Sequence, residues 1–263
     1  MSMHRDVGYG NLDQEAIVRA NAERIRTYTR DRYEKTWFEN VSANLDKIRE
    51  EPNFADLPRQ RGKRGLAIGA GPTIERYEQL KTLAGLSVDD RKKLFIVVCD
   101  REARSLIDAG VTPDLVVSID GTEEILPYVK RIPEGIDIKF AMCVITSPAV
   151  ANLARRRGGI YWFVPMWDDV EAEKSVTRML HYMTGKAIIQ TLGNVGATCV
   201  TAAALLGCNP VGFLGLDYGY PPDTPLEDTT YYEAYLDMVK VHNRAIKKEN
   251  ALIKGRHSAA MKR

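Results

Sequence analysis

The chain has 263 residues, 44% hydrophobic and 27% charged, with a formal net charge of +2. That is ordinary globular usage, enough for one generous domain or one domain with an extension, and it excludes wholesale disorder. The near-balanced charge gives no ground for duplex nucleic acid as the partner, and no segment has the length and apolarity of a membrane span. The opening MSMHRDVGYGNLDQEAIVRA has no apolar signal-peptide core, so a cytoplasmic location is the default expectation.

Residues 11–50 show helical periodicity, with Leu12, Ile17, Ile25, Trp37, Val41, Leu45 and Ile48 recurring at three- and four-residue steps. One or two helices are expected there, forming an N-terminal helical extension over 1–62. Pro52, Pro58, Gly62 and Gly65 then interrupt any helix.

From Gly65 the pattern alternates strand with helix: GLAI, then ERYEQLKTLAG; LFIVVCD, then REARSLIDAG; DLVVSIDG, then TEEILPYVKRI; IKFAMCV, then SPAVANLARRR; GIYWFVPM; a short KAIIQT; the apolar helix GNVGATCVTAAALLG; and NPVGFLGLDYG. A long terminal helix, TYYEAYLDMVKVHNRAIKKENALIKG, closes the reading. The strands are continuous apolar runs, as expected of strands covered on both faces by crossover helices. The fold class that follows is α/β: a Rossmann-like three-layer domain over 63–263 with a mostly parallel sheet.

In such sheets the ligand lies beyond the carboxyl ends of the strands. Three groups of residues fall there. Gly69, Ala70, Gly71, Pro72 and Thr73 follow the first strand as a glycine-bearing turn, suited to an anion at a helix start or to a tight structural turn. No Walker lysine follows, and Ile74 stands where a dinucleotide fingerprint has its third glycine. Asp100, Asp120 and Asp217 are each the first acid after a strand; converging carboxylates suit a magnesium ion held by one or two of them, a hydrogen bond from a ribose or heterocycle to one of them, or structural loop caps. Gly193, Asn194, Val195 and Gly196 open the apolar helix, where Asn194 serves as a cap or ligand contact.

Other polar residues say less. His181 is the histidine nearest the site in sequence, a ligand contact or a satisfied surface or core residue, and in a sugar transfer it or an aspartate would be the base; Tyr218 and Tyr220 stand in a Pro-rich loop suited to closing over a ligand. Trp162, Phe163 and Trp167 read as core, with stacking on a heterocycle as the alternative. Arg155, Arg156 and Arg157 read as a solvated helix end. Cys99, Cys143, Cys199 and Cys208 form no CxxC pair and read as packed thiols.

Four segments together, AIGAGPT at 67–73, PDLVVSIDG at 113–121, GNVGATCVTAAALLG at 193–207 and VGFLGLDYG at 211–219, resemble the MptE-like family. That family joins archaeal 6-hydroxymethylpterin pyrophosphokinases to bacterial motility-associated factors linked to flagellin glycosylation. The resemblance covers about 40–220 and includes WFENVSANLDKI; Thr73 replaces the usual serine of GAGPS and keeps the hydroxyl. For the archaeal branch it implies diphosphate transfer from ATP to the hydroxymethyl group of a reduced pterin, with magnesium on Asp120 and Asp217, phosphates at the 69–73 and 193–196 turns, and Asp100 at the pterin or ribose. For the bacterial branch it implies transfer of a nonulosonic sugar from a CMP-activated donor. The compact length favours the first. A nucleotide-binding module without turnover is the third reading, and the oligomeric state, a homo-oligomer included, stays open.

Overall fold

The structure, a computed structural model, describes residues 14–220 together with 224 and 225. The chain divides into two compact units, Met1–Leu216 and Asp217–Arg263. The expected terminal helix lies outside the described residues.

The first unit is an α/β fold around a seven-stranded sheet in the order β6-β5-β4-β3-β2-β1-β7. The strands are β1 (Arg64–Ile68), β2 (Leu94–Cys99), β3 (Leu115–Ser118), β4 (Ile138–Cys143), β5 (Gly158–Pro165), β6 (Ile188–Ile189) and β7 (Val211–Leu214). Each of the six pairings between neighbours is parallel. β2, β3 and β4 are buried along nearly their whole length, as their continuous Val, Ile, Phe and Leu content demands.

α1 (Gln14–Glu50) is one helix of 37 residues, about 55 Å long at 1.5 Å per residue. It belongs to the same compact unit as the sheet. Trp37, Val41, Asn44 and Ile48 are all buried, a stripe at three- and four-residue spacing. The helix expected after β1 is broken. α2 (Thr73–Arg76) and α3 (Gln79–Ala84) are separated at Glu78, whose left-handed φ of 49° no regular helix accommodates, and α4 (Val88–Lys92) follows.

Single helices make the next crossovers: α5 (Ala103–Asp108), α6 (Leu126–Arg131), α7 (Pro148–Arg155) and α8 (Val176–Thr184). α9 (Val195–Leu205) then leads into β7 and packs on β1, β2, β3 and β7. Its small side chains permit close approach to the sheet. A Cβ at Gly65 would stand 3.0 Å from Ala203 Cβ and 2.9 Å from Cys208 Cβ. All four cysteines are free and buried, packed as thiols.

The arginines closing α7 are not a solvated end, because the neighbouring elements bring acceptors to them. Arg155 Nε and Nη2 donate to Glu51 at 2.5 and 2.9 Å, and Trp162 Nε1 donates to the same carboxylate at 2.7 Å. Arg157 is buried and caps α6, donating to Ile132 O at 2.6 Å and Lys130 O at 3.1 Å. Only Arg156 of the three is exposed.

Candidate functional site

The strand order reverses direction between β1 and β7. Successive strands from β1 run toward β6, and the last crossover returns to the far side of β1. The carboxyl ends at such a switch point are where ligands of open α/β sheets bind, and the turn after β1 and the start of α9 stand there.

The glycines at this junction serve protein packing. Gly69 N donates to Leu214 O and Gly71 N to Gly215 O, both at 2.9 Å, so these two amides tie the β1 turn to the end of β7. A Cβ at Gly69 would collide with Gly215 O and lie 2.7 Å from Leu216 Cδ2. One at Gly196 would collide with that same leucine, and one at Gly215 would lie 2.5 Å from Ile74 Cδ1. Pro72 has no amide hydrogen, and α2, which starts at Thr73, is a single turn. Ala70 is half-buried against the core.

α9 starts differently. Asn194 caps it, Oδ1 accepting from Ala197 N at 2.8 Å, after Gly193 has turned the chain at a φ of 79°. Val195 and Gly196 occupy the first turn, where amides have no intrahelical acceptor and the helix dipole favours an anion.

β2 and β3, next in the sheet, deliver the carboxylates. Asp100 follows β2 and is buried; its backbone N–H donates to Val117 O, and its Oδ1 accepts from Arg101 N at 2.8 Å. Burial pushes its carboxyl up to about 6, and the charge of Asp120 adds to the rise. The Ser118 hydroxyl lies beside Asp100 and draws the value back down, yet the two do not meet in good hydrogen-bond geometry. Asp100 Oδ2 and Ser118 Oγ are buried with no hydrogen-bond partner among the described residues. A buried carboxylate oxygen without a donor is costly, and such groups concentrate at functional sites.

Asp120 is half-buried, and its Oδ1 accepts from Thr122 N at 2.7 Å, shaping the loop beyond β3. Glu102 is pushed up to about 7 by burial, with Glu75 of α2 raising it further. Asp100 and Asp120 are thus electrostatic neighbours, while the Glu102 carboxyl is coupled to Glu75. No group of three His, Cys, Asp or Glu side chains among the described residues is arranged to hold a metal ion.

α1 covers part of this same edge. Asn40 Nδ2 donates to Gly121 O at 2.7 Å and Ile145 O at 2.9 Å, and Asn44 Nδ2 donates to Thr146 O at 3.0 Å. The Trp37 ring fills the space a Cβ at Gly121 would need, 2.6 Å from Cδ1, and meets Trp167 edge-on at 4.5 Å between centroids. Trp162 and Phe163 are fully buried core.

His181 stands elsewhere. It lies in the last turn of α8, its Nδ1 2.7 Å from Lys186 O. That helix feeds β6, five strand steps from β1, or about 24 Å along the sheet at 4.8 Å per step. Asp217, Tyr218 and Tyr220 belong to the second unit; Tyr218 is exposed there with a left-handed φ of 53°.

Sequence reasoning missed Asn40, Asn44, Ser118 and Arg101. The two asparagines carry a signal, since they share the helical spacing of the buried stripe. Ser118 carries one also, as a lone hydroxyl inside an apolar strand.

Among known proteins, residues 39–223 match the family model described as 6-hydroxymethylpterin diphosphokinase MptE-like. No curated protein matches. The structure titled as that of the MAf glycosyltransferase from Magnetospirillum magneticum AMB-1 is similar in fold, with a TM-score of 0.53 and 14% identity, over 73% of this chain. This chain spans only 29% of that one. The family match covers well over half the sequence, and its range includes the strand ends, the α1 asparagines and the start of α9: the chain belongs to the MptE-like family.

Proposed function

We propose that the protein is a nucleotide-dependent transferase that moves diphosphate from ATP to the hydroxymethyl group of a reduced pterin. The observation that carries this reading is the amino-terminal turn of α9 at the carboxyl edge of the sheet, the edge that Asp100 and Asp120 also occupy, with Cys199 of α9 within the field of Asp100. An anion-favouring helix start next to carboxylates suits a phosphate chain accompanied by a cation.

In this reading the Val195 and Gly196 amides hold phosphates, and the Gly69–Thr73 turn, whose Gly69 and Gly71 amides are bonded to β7, is a packed structural turn and not an anion cradle. Asp120 holds magnesium, and Asp100 with Ser118 accepts from the ribose or the heterocycle. The residues fit such an ion: magnesium takes one or two carboxylates and completes its shell with phosphate and water, and Asp120 has only one oxygen committed to Thr122. Magnesium, when bound, neutralises charge on the phosphates. The chain's own residues place the acceptor hydroxyl in line and fix the donor against the helix start. His181, at the far edge, takes no part. The sheet is then the middle layer of a Rossmann-like arrangement, because right-handed crossovers running in opposite directions put α9 and the earlier helices on opposite faces.

The fold likeness to a glycosyltransferase structure supports a second reading, transfer of a sugar acid from a CMP-activated donor. Phosphorus NMR of the full chain with ATP, magnesium and reduced 6-hydroxymethylpterin separates the two. AMP appearing together with a pterin diphosphate establishes the first. Intact ATP with folded protein overturns it, and release of CMP from a CMP-activated sugar acid then distinguishes the second from a binding module without turnover.

A further inference from the structure

The side chain that follows Asp100 is a cation, and it is not used by the fold. Arg101 is half-buried at the carboxyl end of β2, its guanidinium 5.2 Å from the ring centroid of Tyr128 in α6. Every other arginine buried to that degree or more, among those whose side chains are described, is committed to protein oxygens. Arg30 binds Glu34, Arg91 binds Asp114, Arg104 binds Asp108 and Arg155 binds Glu51; Arg157 and Arg178 bind backbone carbonyls. The Arg101 guanidinium has neither an ion pair nor a hydrogen bond with any described residue, and its recorded contact is the aromatic face.

Five donors held on a ring and left without acceptors form a preorganised fork for an oxyanion. The place is suited to that role. Tyr128 lies early in α6, just beyond the loop that carries Asp120 and Thr122, so the guanidinium stands between the segments leaving β2 and β3. The surrounding charge is mostly carboxylate, from Asp100, Glu102 and Asp120. Arg101 supplies the positive charge that an anionic ligand needs against that background, and its own field lowers the Asp100 carboxyl.

The geometry points to Arg101 as an oxyanion-binding residue of this site, gripping a phosphoryl group with Tyr128 as its platform. The inference rests on the nucleotide reading above and deepens it, since it names the side chain that recognises the transferred or departing phosphate. The same fork would take the carboxylate of a sugar acid, so the test carries both anions.

The test is calorimetric titration of the full chain with inorganic diphosphate, with ATP and with N-acetylneuraminate, each with magnesium present. Because the Arg101 guanidinium makes no hydrogen bond with a described residue, Arg101→Gln is expected to keep the wild-type urea midpoint, and Arg101→Lys provides a second variant that keeps the charge but loses the fork. Arg101→Gln is expected to weaken diphosphate binding at least tenfold, with Arg101→Lys intermediate and Tyr128→Leu weakened a few-fold. A loss confined to N-acetylneuraminate supports the oxyanion role and assigns it to a carboxylate. Wild-type affinity for all three probes in both arginine variants overturns the assignment while leaving the nucleotide reading intact. A wild-type protein that binds neither ATP nor diphosphate overturns the nucleotide reading itself.

Discussion

Asn40 Nδ2 lies 2.7 Å from Gly121 O, so a helix from the start of the chain is fastened to the residue directly after Asp120. The same amide group reaches Ile145 O, and Asn44, one helical turn on, reaches Thr146 O. α1 thus holds the loops beyond β3 and β4 in place, using side chains whose polarity would normally put them in water.

Removing that amide leaves two buried carbonyls without a donor. Asn40→Ala is expected to lower stability by about 2 kcal/mol, the usual cost of leaving buried polar groups unpaired. Urea unfolding reads this directly. Turnover should fall further than the loss of folded protein explains, because the Asp120 loop loses its anchor; turnover per folded molecule equal to wild type would remove α1 from the site.

The glycines of the site divide into two kinds. Gly69→Ala puts a Cβ against the backbone oxygen of Gly215, which has no free direction in which to move, so severe destabilisation or failure to fold is expected. Gly193→Ala meets no atom within 4 Å and costs only the strain of a left-handed φ, about 1 kcal/mol. Thermal unfolding of the two variants side by side should show that order. Similar small losses in both would contradict the packing role of Gly69.

Asp100 gives the fold a pH dependence of definite sign. Its carboxyl is pushed up to about 6, so the native state holds the proton more tightly than the unfolded chain does. Its contribution is therefore most favourable at acid pH, below the unfolded value, and declines as pH rises through about 6. Asp100→Asn removes the buried charge while keeping an acceptor for Arg101 N. Its stability relative to wild type should improve between about pH 4 and about pH 8, by up to about 3 kcal/mol. Glu102, pushed up to about 7, titrates with the same sign in both proteins, so the difference isolates Asp100. A gap that stays constant with pH would show that Asp100 is not the strained carboxyl.

Asp120→Asn keeps an oxygen for Thr122 N and loses the charge. Stability should change by less than about 1 kcal/mol, while turnover in the diphosphate-transfer assay falls by two orders of magnitude or about that. Activity equal to wild type would take Asp120 out of the site.

The strands were legible from sequence because continuous apolar runs of Val, Ile and Phe need cover on both faces, and β2, β3 and β4 stand within a residue or so of those runs. Asp100 and Asp120 were legible as strand-end acids for the same reason. What could not be read was anything set by contacts distant in the chain. Nothing local in Arg155 tells that Glu51 lies across from it, and nothing in Gly69 tells that β7 returns to fill the space beside it. Arg101 looked like one more charged residue opening a helix; its place against the Tyr128 ring exists only once α6 has packed beside the end of β2. Strand order likewise follows from assembly, since the seven runs are similar in composition and either edge would accept the last.

The pairing of β7 with β1 has a consequence for how the protein comes into being on the ribosome. Gly65 leaves the exit tunnel long before Val211, its partner in the sheet, so β1 waits through most of synthesis with one edge unpaired. The turn after β1 is fastened only after that last strand arrives, because Gly69 and Gly71 find their acceptors at Leu214 and Gly215. A nascent chain stalled before β7 would thus have most of its sheet and an unanchored β1 turn, and its exposed β1 edge would be where chaperones or misassembly act first.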